Sequence, residues 1–207
     1  MKRTIVLLAA LLLAAGIAAA SPYTYIVRVN TPDFGVPGWI DFNFVQVNSA
    51  DGLSATATIY DITQSGLTLD GVHGVSDPAI TGSWNAQPIV LPNDVGANNY
   101  YDEHVVAWGG WFSFLVTFSG PAVGNPLSGG NMFLVSLYDE NFQNFLAAPL
   151  SNNEVANVIL NADTTLTANG STFEGGSATS GQVPEPGTVL LGGAALGLIL
   201  LGRLRLR

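Results

Sequence analysis

Residues 112–118 read Phe-Ser-Phe-Leu-Val-Thr-Phe, and every second side chain from Phe112 onward is apolar. A period of two places one set of side chains in a core and the other toward solvent, which is typical of a half-buried β-strand. The same alternation recurs elsewhere in the chain, at residues 23–29, 40–44, 53–59 and 133–137. Two more strands are predicted, at 155–160 and 164–167. Helical spacing is found only at residues 141–146, as an alternative to an irregular segment there.

Short turn sequences separate these windows. They are Asp51-Gly52, Asp70-Gly71, Ser119-Gly120-Pro121, Gly129-Gly130-Asn131 and Asn169-Gly170. These residue types favour tight turns, and short strands at this spacing are typical of antiparallel sandwiches. The sequence therefore predicts an all-β fold, an antiparallel and jelly-roll-like β-sandwich, over residues 21–174. Residues 77–99, which are rich in Pro, Asn and Gly, are expected to form loops.

The charged residues are distributed unevenly along the 207-residue chain. Between residues 21 and 183 the only base is Arg28, against fourteen acids, so the formal charge of this part is 1 − 14 = −13. Such a surface repels polyanions, which excludes nucleic-acid binding. The chain has no cysteine, so neither disulfides nor thiolate metal sites are available to it.

The first twenty residues have the three parts of a secretory signal peptide. Lys2 and Arg3 form a short cationic region, residues 5–15 are apolar, and alanines at 18–20 provide small side chains before a cleavage point. This pattern predicts an N-terminal signal helix over 1–20 that is cleaved between Ala20 and Ser21. A retained N-terminal anchor is the alternative, although the apolar run is short for a membrane span.

A polar, proline-containing segment follows the predicted domain. Residues 175–182 are rich in Gly, Ser and Thr and are predicted to be a flexible linker. Next come Pro184, Glu185 and Pro186. The two prolines fix the backbone and remove two hydrogen-bond donors, so this piece is expected to be extended and accessible to a processing enzyme.

The last twenty residues combine an apolar run with a basic end. Residues 188–202 carry no charge, and as a helix these fifteen residues would be about 22 Å long, against a hydrocarbon core of about 30 Å. Such a short transmembrane helix can span where the bilayer thins or where arginines snorkel. Arg203, Arg205 and Arg207 are expected to anchor the end of the chain on the cytoplasmic side, which leaves the acidic domain outside.

The order Val-Pro-Glu-Pro-Gly, short glycine-containing apolar helix and arginine-rich end resembles the PEP-CTERM sorting signal, over residues 183–207. The resemblance implies that an exosortase, a membrane-embedded protease of the transpeptidase kind, removes the tail. Pro184, Glu185 and Pro186 would be the recognition motif in this substrate. The resemblance also implies an exopolysaccharide-producing bacterium and a mature protein at the cell surface or in the extracellular matrix. An ordinary tail anchor behind a proline-rich linker is the alternative.

Catalytic residues are sparse in the predicted domain. His73 is expected in a turn, and His104 follows Asp102 and Glu103 directly. Neighbouring residues of a strand point to opposite faces, so these three cannot converge without help from elsewhere. Neither zinc-binding histidine spacing nor a nucleophile-elbow motif is present. A paired-carboxylate glycosidase stays open, because its two acids can come from distant strands.

Two ligand-binding alternatives concern loops and tryptophans. Loops such as Asn93-Asp94 and 139–141 have oxygen ligands suited to calcium, although no known calcium-loop motif occurs and no metal-binding residue is assigned. Trp108 and Trp111 flank two glycines, where a turn could expose an aromatic ring to a glycan. Large aromatics in a β-sandwich more commonly belong to the core.

The leading functional hypothesis is a non-enzymatic, exported surface or matrix protein whose sandwich interacts with exopolysaccharide or with its own kind. Its partners would be the secretion machinery, signal peptidase and exosortase, with the membrane as a transient anchor, and no cofactor other than calcium is considered. A carbohydrate-binding module, with or without calcium, is the second hypothesis. An extracellular hydrolase is the third, and it requires two carboxylates, or His104 and an acid, to meet in a cleft.

Overall fold

The computed structural model describes residues 23–46, 53–94, 98–123, 131–147, 150, 154–160, 166–173 and 176–182. Within these ranges the chain forms strands and no helix. The strands are β1 (Tyr23–Thr31), β2 (Gly38–Gln46), β3 (Ala55–Ser65), β4 (Thr68–Val75), β5 (Thr81–Ser83), β6 (Ala86–Asn93), β7 (Asn98–Ala107), β8 (Gly110–Ser119), β9 (Asn131–Asp139), β10 (Phe145–Ala147), β11 (Ala156–Leu160), β12 (Leu166–Gly170), β13 (Thr172–Phe173) and β14 (Gly176–Gln182).

The strands form two antiparallel sheets, which confirms the all-β prediction. The order in the first sheet is β13-β14-β1-β8-β3-β6-β5. The order in the second sheet is β12-β11-β9-β2-β7-β4, with β10 paired to β9. The pairs β1·β8, β2·β7 and β3·β6 are nested in the sequence and join strands that are distant along the chain, whereas β5·β6 and β11·β12 join neighbouring strands.

The core is an aromatic layer between the two sheets. Phe42 of the second sheet lies 4.9 Å, between ring centroids, from Phe114 of the first sheet. Phe44 of the second sheet lies 5.8 Å from Phe118 of the first, and Phe133 contacts both Phe114 and Phe118. All five rings are buried. Edge-to-face and tilted contacts of this kind add to the free energy of burying large apolar rings, and they hold the sheets face to face.

The predicted linker at 175–182 is wrong for its described residues, because 176–182 form β14. This strand pairs with β1 over six residues, and Ala178 is buried against the core. The hydrogen bonds that pair two β-strands are made by backbone groups and do not need apolar side chains. The segment therefore closes the edge of β1 although Gly, Ser and Thr give it no apolar alternation.

The loop predicted at 77–99 is also wrong for most of its length, since β5, β6 and the start of β7 lie there. In β6, Ile89 and Leu91 are fully buried, while Pro88 and Pro92 alternate with them. Because prolines are typical of loops, composition alone does not predict this strand. The helix considered at 141–146 is replaced by a turn and the short strand β10.

The signal helix over 1–20 and the C-terminal segment 183–207 with its hydrophobic helix lie outside the described residues. In the described part of the chain, no helix has the length and apolar character needed to cross a membrane.

Candidate functional site

Two aspartates face each other on the outer surface of the second sheet. Asp41 on β2 and Asp102 on β7 are directly paired in register. Because Ile40 and Phe42 point into the core, the intervening Asp41 points away from it. Even so, Asp41 and Asp102 are only 5% and 6% exposed. Gly74 on β4 lies opposite Asp102 and has no side chain to cover it. We call Asp41 and Asp102 the acid pair.

The acid pair shares a site that disfavours two negative charges. Burial, the nearby Asp102 charge and a hydrogen bond between the two side chains raise the pKa of Asp41 well above its ordinary value. Burial raises the pKa of Asp102 to about 6. Two carboxyl groups in hydrogen-bonding contact hold one proton between them, since two buried like charges at that distance repel. Near neutral pH the pair therefore presents one carboxyl and one carboxylate.

A pocket of about 250 Å³ lies over the acid pair. Its lining consists of Asp41, Asn43, Tyr100, Asp102, Tyr138 and Phe142. Tyr100 and Phe142 are 39% and 44% exposed, so aromatic side chains form walls that solvent reaches. The side-chain oxygen Oδ1 of Asn43 is buried and has no hydrogen-bond partner among the described residues. The pocket thus combines aromatic walls with a floor of oxygen acceptors.

An ion cluster beside the pocket fixes the turn that carries Phe142. His104 Nδ1 lies 2.8 Å from Asp70 Oδ2 on β4, and His104 Nε2 lies 2.8 Å from Glu140 Oε2. Although desolvation lowers the pKa of His104, the hydrogen bonds to Glu140 and Asp70 outweigh it and raise this pKa above its ordinary value. A protonated His104 therefore ties β4, β7 and the turn after β9 together.

Stacked rings continue from this ion cluster to the pocket wall. The Trp39 ring lies 4.7 Å from the His104 ring and 5.0 Å from the Phe142 ring, between centroids. Trp39 Nε1 donates a hydrogen bond of 3.1 Å to the backbone oxygen of Glu140. Phe142 also contacts Tyr138, at 5.5 Å. The walls of the pocket are consequently held by packing as well as by the His104 ion pairs.

The run Asp102, Glu103 and His104 does not form a catalytic group by itself. Asp102 and His104 reach the outer surface, whereas Glu103 is buried and accepts a short hydrogen bond from the Tyr101 hydroxyl. The other Glu103 oxygen has no partner within the described ranges. His73, expected in a turn, lies on β4 instead, and its ring stacks at 5.6 Å on Tyr101. The partner that Asp102 does find is Asp41, from another strand.

The carboxyl groups of the acid pair are hydrogen-bonded to each other. Retaining glycosidases separate their carboxyl groups by about 5 to 5.5 Å and inverting ones by about 6.5 to 9.5 Å, so that a sugar carbon or a water fits between them. A directly hydrogen-bonded pair differs from that arrangement. His104 does meet two acids, Asp70 and Glu140, and both ring nitrogens are occupied by them.

The two tryptophans named from the sequence lie away from this pocket's lining. Trp108 is 5% exposed and its ring packs edge-to-face on Phe34 at 5.3 Å, so it belongs to the core and is not available to a glycan. Trp111 is half-buried on the first sheet, and the Arg28 guanidinium carbon lies 4.4 Å from its ring centroid. Trp39 is the tryptophan that supports the pocket.

The acidic loops considered for calcium use their side chains locally. The Asp139 carboxylate accepts hydrogen bonds from the Gln143 backbone, at 2.9 Å, and from Asn144 Nδ2, at 2.6 Å. Asn93 Nδ2 lies 3.4 Å from Asn131 Oδ1. No group of three or more His, Asp or Glu side chains suited to a metal ion occurs in the part of the chain that the structure covers.

The residues named for processing cannot be placed. Ala20 and Ser21, the motif 184–186, and the basic residues Arg203, Arg205 and Arg207 all lie outside the described residues.

Sequence reasoning missed most of the pocket. The sequence predicts residues 40–44 as a strand in which Asp41 and Asn43 take the polar positions, and it gives no signal for Tyr100, Tyr138 or Phe142. One signal is available for Asp41, which is an acid between Ile40 and Phe42. The pairing of Asp41 with Asp102 depends on β2 lying next to β7, which the local pattern does not determine.

Comparison with known proteins gives no assignment. No protein-family model, curated protein or solved structure matches the chain. Function is therefore argued from the site itself.

Proposed function

We propose that the sandwich is a non-enzymatic glycan-binding module of an exported, exosortase-processed surface or matrix protein. The observation that carries the proposal is the pocket on the outer surface of the second sheet, with aromatic walls and a floor of polar oxygens. Small-molecule sites commonly combine apolar and aromatic lining with a few convergent polar groups that fix orientation. A sugar ring has this same division, with apolar C–H faces and hydroxyls at its edge.

The accessible rings support this use of the pocket. Tyr100 on β7 and Phe142 in the turn after β9 are both more than a third exposed. Phe142 is held against Trp39 and Tyr138, so little rotamer freedom is lost when a ligand packs on it. Carboxylate oxygens can accept hydrogen bonds from neighbouring hydroxyls of one sugar, and these bonds are stronger than neutral ones.

Binding rather than hydrolysis is the better use of the acid pair. Its two carboxyl groups touch each other, whereas glycosidases need a gap for the reacting carbon or for a water. No histidine is in the lining to relay a proton, since His104 is engaged by Asp70 and Glu140. The hydrolase hypothesis therefore ranks below binding, and activity toward a polysaccharide is an outcome that the assay below detects.

The destination of the protein is proposed from its two ends. Signal peptidase would cut between Ala20 and Ser21, the C-terminal helix would hold the protein in the inner membrane, and exosortase would then act at the 184–186 motif. Arg203, Arg205 and Arg207 would stay on the cytoplasmic side until the tail is removed. The nested pairs β1·β8, β2·β7 and β3·β6 support the narrower proposal that the exported sandwich is jelly-roll-like.

The test is retention of the protein, purified from its host after export, on a panel of insoluble polysaccharides that includes the host exopolysaccharide. At least one polymer should bind. Tyr100→Ala and Phe142→Ala should each weaken binding by about tenfold, because each removes a wall on which the sugar packs. Both side chains are exposed, so the variants are expected to fold. Release of reducing sugar is measured in the same samples.

Trp111→Ala is the matched control, because it removes a large ring from the other sheet. If no polymer binds, the proposal fails. If Trp111→Ala abolishes binding while Tyr100→Ala and Phe142→Ala do not, the glycan site lies on the first sheet and the pocket is not the site. Release of reducing sugar that is lost in Asp102→Asn would favour the hydrolase instead.

A further inference from the structure

The charged groups of the pocket lining are both acids, and its neutral polar groups, Asn43 and two tyrosine hydroxyls, can donate as well as accept hydrogen bonds. The acid pair offers four carboxyl oxygens that share one proton, and Asn43 adds the unpartnered oxygen Oδ1. No lysine, arginine or histidine is in the lining. The negative charge that the acid pair keeps near neutral pH has no base beside it in the lining, so it is complementary to a cationic donor such as an ammonium group.

The aromatic walls favour the same ligand. The face of a tyrosine or phenylalanine ring is electrostatically negative and attracts a cation that lies within about 6 Å. Tyr100, Tyr138 and Phe142 place three such rings around two carboxyl groups. Ring faces and carboxylates attract the same cation, because an ammonium group can contact both at once.

The electrostatic field of the whole domain also favours a cationic ligand. Between residues 21 and 183 the formal charge is 1 − 14 = −13, and Arg28, the single base, lies on the first sheet. A strongly acidic domain attracts polycations and repels polyanions such as uronic-acid polymers. Among glycans, this selects those with free amino groups.

We propose that the pocket binds the protonated amine of an amino sugar, so that the ligand is a glycan with de-N-acetylated hexosamine residues. This inference rests on the proposed function, since it names the class of glycan bound at the same pocket. The ammonium takes the place of the proton between Asp41 and Asp102. Both carboxyl groups are then ionised, and one proton leaves to solvent for each amine bound.

The groups around the acid pair allow this exchange. Tyr138 on β9 is uncharged near neutral pH, because burial and the acid pair raise its pKa. Gly74 on β4 carries no side chain. The charge of His104 is matched by Asp70 and Glu140, at 2.8 Å each. No protonated side chain of the lining therefore competes with the ammonium of the ligand for the acid pair.

The test is titration calorimetry of the full-length protein with a β-1,4-linked glucosamine tetramer and with its fully N-acetylated counterpart. The glucosamine tetramer should bind at least about tenfold more tightly, because acetylation removes the charge and adds an acceptor. Repeating the titration in two buffers of different ionisation enthalpy should show proton release on binding. Raising the salt concentration should weaken binding.

Asp102→Asn should reduce the affinity for the glucosamine tetramer by about tenfold or more, because it removes one of the two carboxyl groups that contact the amine, and it should change the proton release. Asp61→Asn is the matched control, since Asp61 is exposed on β3 of the first sheet and its positive φ of 52° suits asparagine. It should leave both quantities unchanged. Phe142→Ala, at an exposed position, keeps the test valid if Asp102→Asn fails to fold.

Several results would overturn the inference. Equal affinity for the two tetramers, or tighter binding of the N-acetylated or another neutral glycan, would leave glycan binding intact and remove the amine preference. Spermidine binding as tightly as the glucosamine tetramer would show a general cation site instead of a sugar site. Binding of no glycan at all would remove the proposed function as well.

Discussion

The acid pair predicts that the folded protein becomes less stable as the pH rises. Burial raises the pKa of Asp102 from its ordinary 3.8 to about 6, so the folded state keeps a proton that the unfolded chain has already released. The stabilisation is complete below pH 3.8 and is lost as the pH passes through about 6. Because a tenfold change in a dissociation constant is about 1.4 kcal/mol, the rise to about 6 corresponds to about 3 kcal/mol of unfolding free energy.

Other groups act in known directions over the same range. Burial raises the pKa of Asp41 and of Glu103, and the hydrogen bonds to Glu140 and Asp70 outweigh desolvation and raise that of His104, so all three also lose stabilisation as the pH rises. The pKa of Asp139 is lowered by its hydrogen bonds, first of all to Asn144, and its contribution is lost only as the pH falls toward 3.8 and below. Measurements above about pH 4.5 therefore report only the groups whose raised pKa makes the unfolding free energy fall as the pH rises.

The assay is urea unfolding of the wild type and of Asp102→Asn between about pH 4.5 and 8. Asparagine preserves the size of the side chain and does not titrate, so the variant should lose about 3 kcal/mol less than the wild type across this range. Asp61→Asn, which removes a charge from the first sheet, should follow the wild type. Parallel curves for the wild type and Asp102→Asn would refute the reasoning, as would a wild-type stability that rises with pH.

Three further predictions concern the ends of the chain and one turn. Ala178→Asp should lower the unfolding free energy by several kcal/mol in urea unfolding, because Ala178 is 4% exposed. Thr179→Asp, on the outer face, should be tolerated. Equal effects of the two substitutions would mean that 176–182 is a linker and not a strand of the sheet. Glu185→Ala or Pro186→Ala should leave export intact but block tail removal, as read from the intact mass and the cell fraction, and normal processing of both would contradict the sorting hypothesis. Gly110→Ala should destabilise the fold by several kcal/mol in thermal unfolding, because φ is 93° and a Cβ would lie 2.0 Å from a backbone oxygen of β3; an unchanged melting temperature would show that the turn at Gly110 can move.

Strands with apolar alternation were predictable from the sequence. The windows at 23–29, 40–44, 53–59, 112–118 and 133–137 all lie within β1, β2, β3, β8 and β9 or run directly into them. In these strands one face is buried in a common core, so hydrophobic period and structure follow from the same physical cause. The all-β class rests on these strands, which is why it could be predicted.

Strands at or next to the edges of the sheets were not predictable in the same way, such as β4, which ends the second sheet, and β14, which lies between β13 and β1. β4 is mostly exposed and contains Asp70-Gly71, a sequence typical of a turn, while β14 has one buried alanine among Gly, Ser and Thr. Such strands are specified by backbone pairing to a neighbour, and a neighbour is a property of the topology. The pocket was not predictable for the same reason. Asp41 and Asp102 are sixty-one positions apart (102 − 41 = 61) and meet only through the pairing of β2 with β7.

The outer faces of the two sheets show that the acid pair is not demanded by the fold. On the first sheet, the corresponding outward positions carry a neutral ladder in which Thr24 and Thr117 hydroxyls lie 3.0 Å apart and the Tyr60 hydroxyl lies 3.1 Å from Thr117. Hydroxyls of this kind satisfy a sheet surface without any buried charge. On the second sheet, two outward positions hold buried carboxyl groups. Ionisation of Asp102 alone destabilises the protein near neutral pH by about 3 kcal/mol, a sizeable part of the roughly 5 to 15 kcal/mol that typically holds a domain folded. Destabilising groups that a fold does not need are commonly found where a ligand binds. An ammonium bound between Asp41 and Asp102 would replace their shared proton and attract both carboxylates, and the bound state would regain the stability that the free protein lacks.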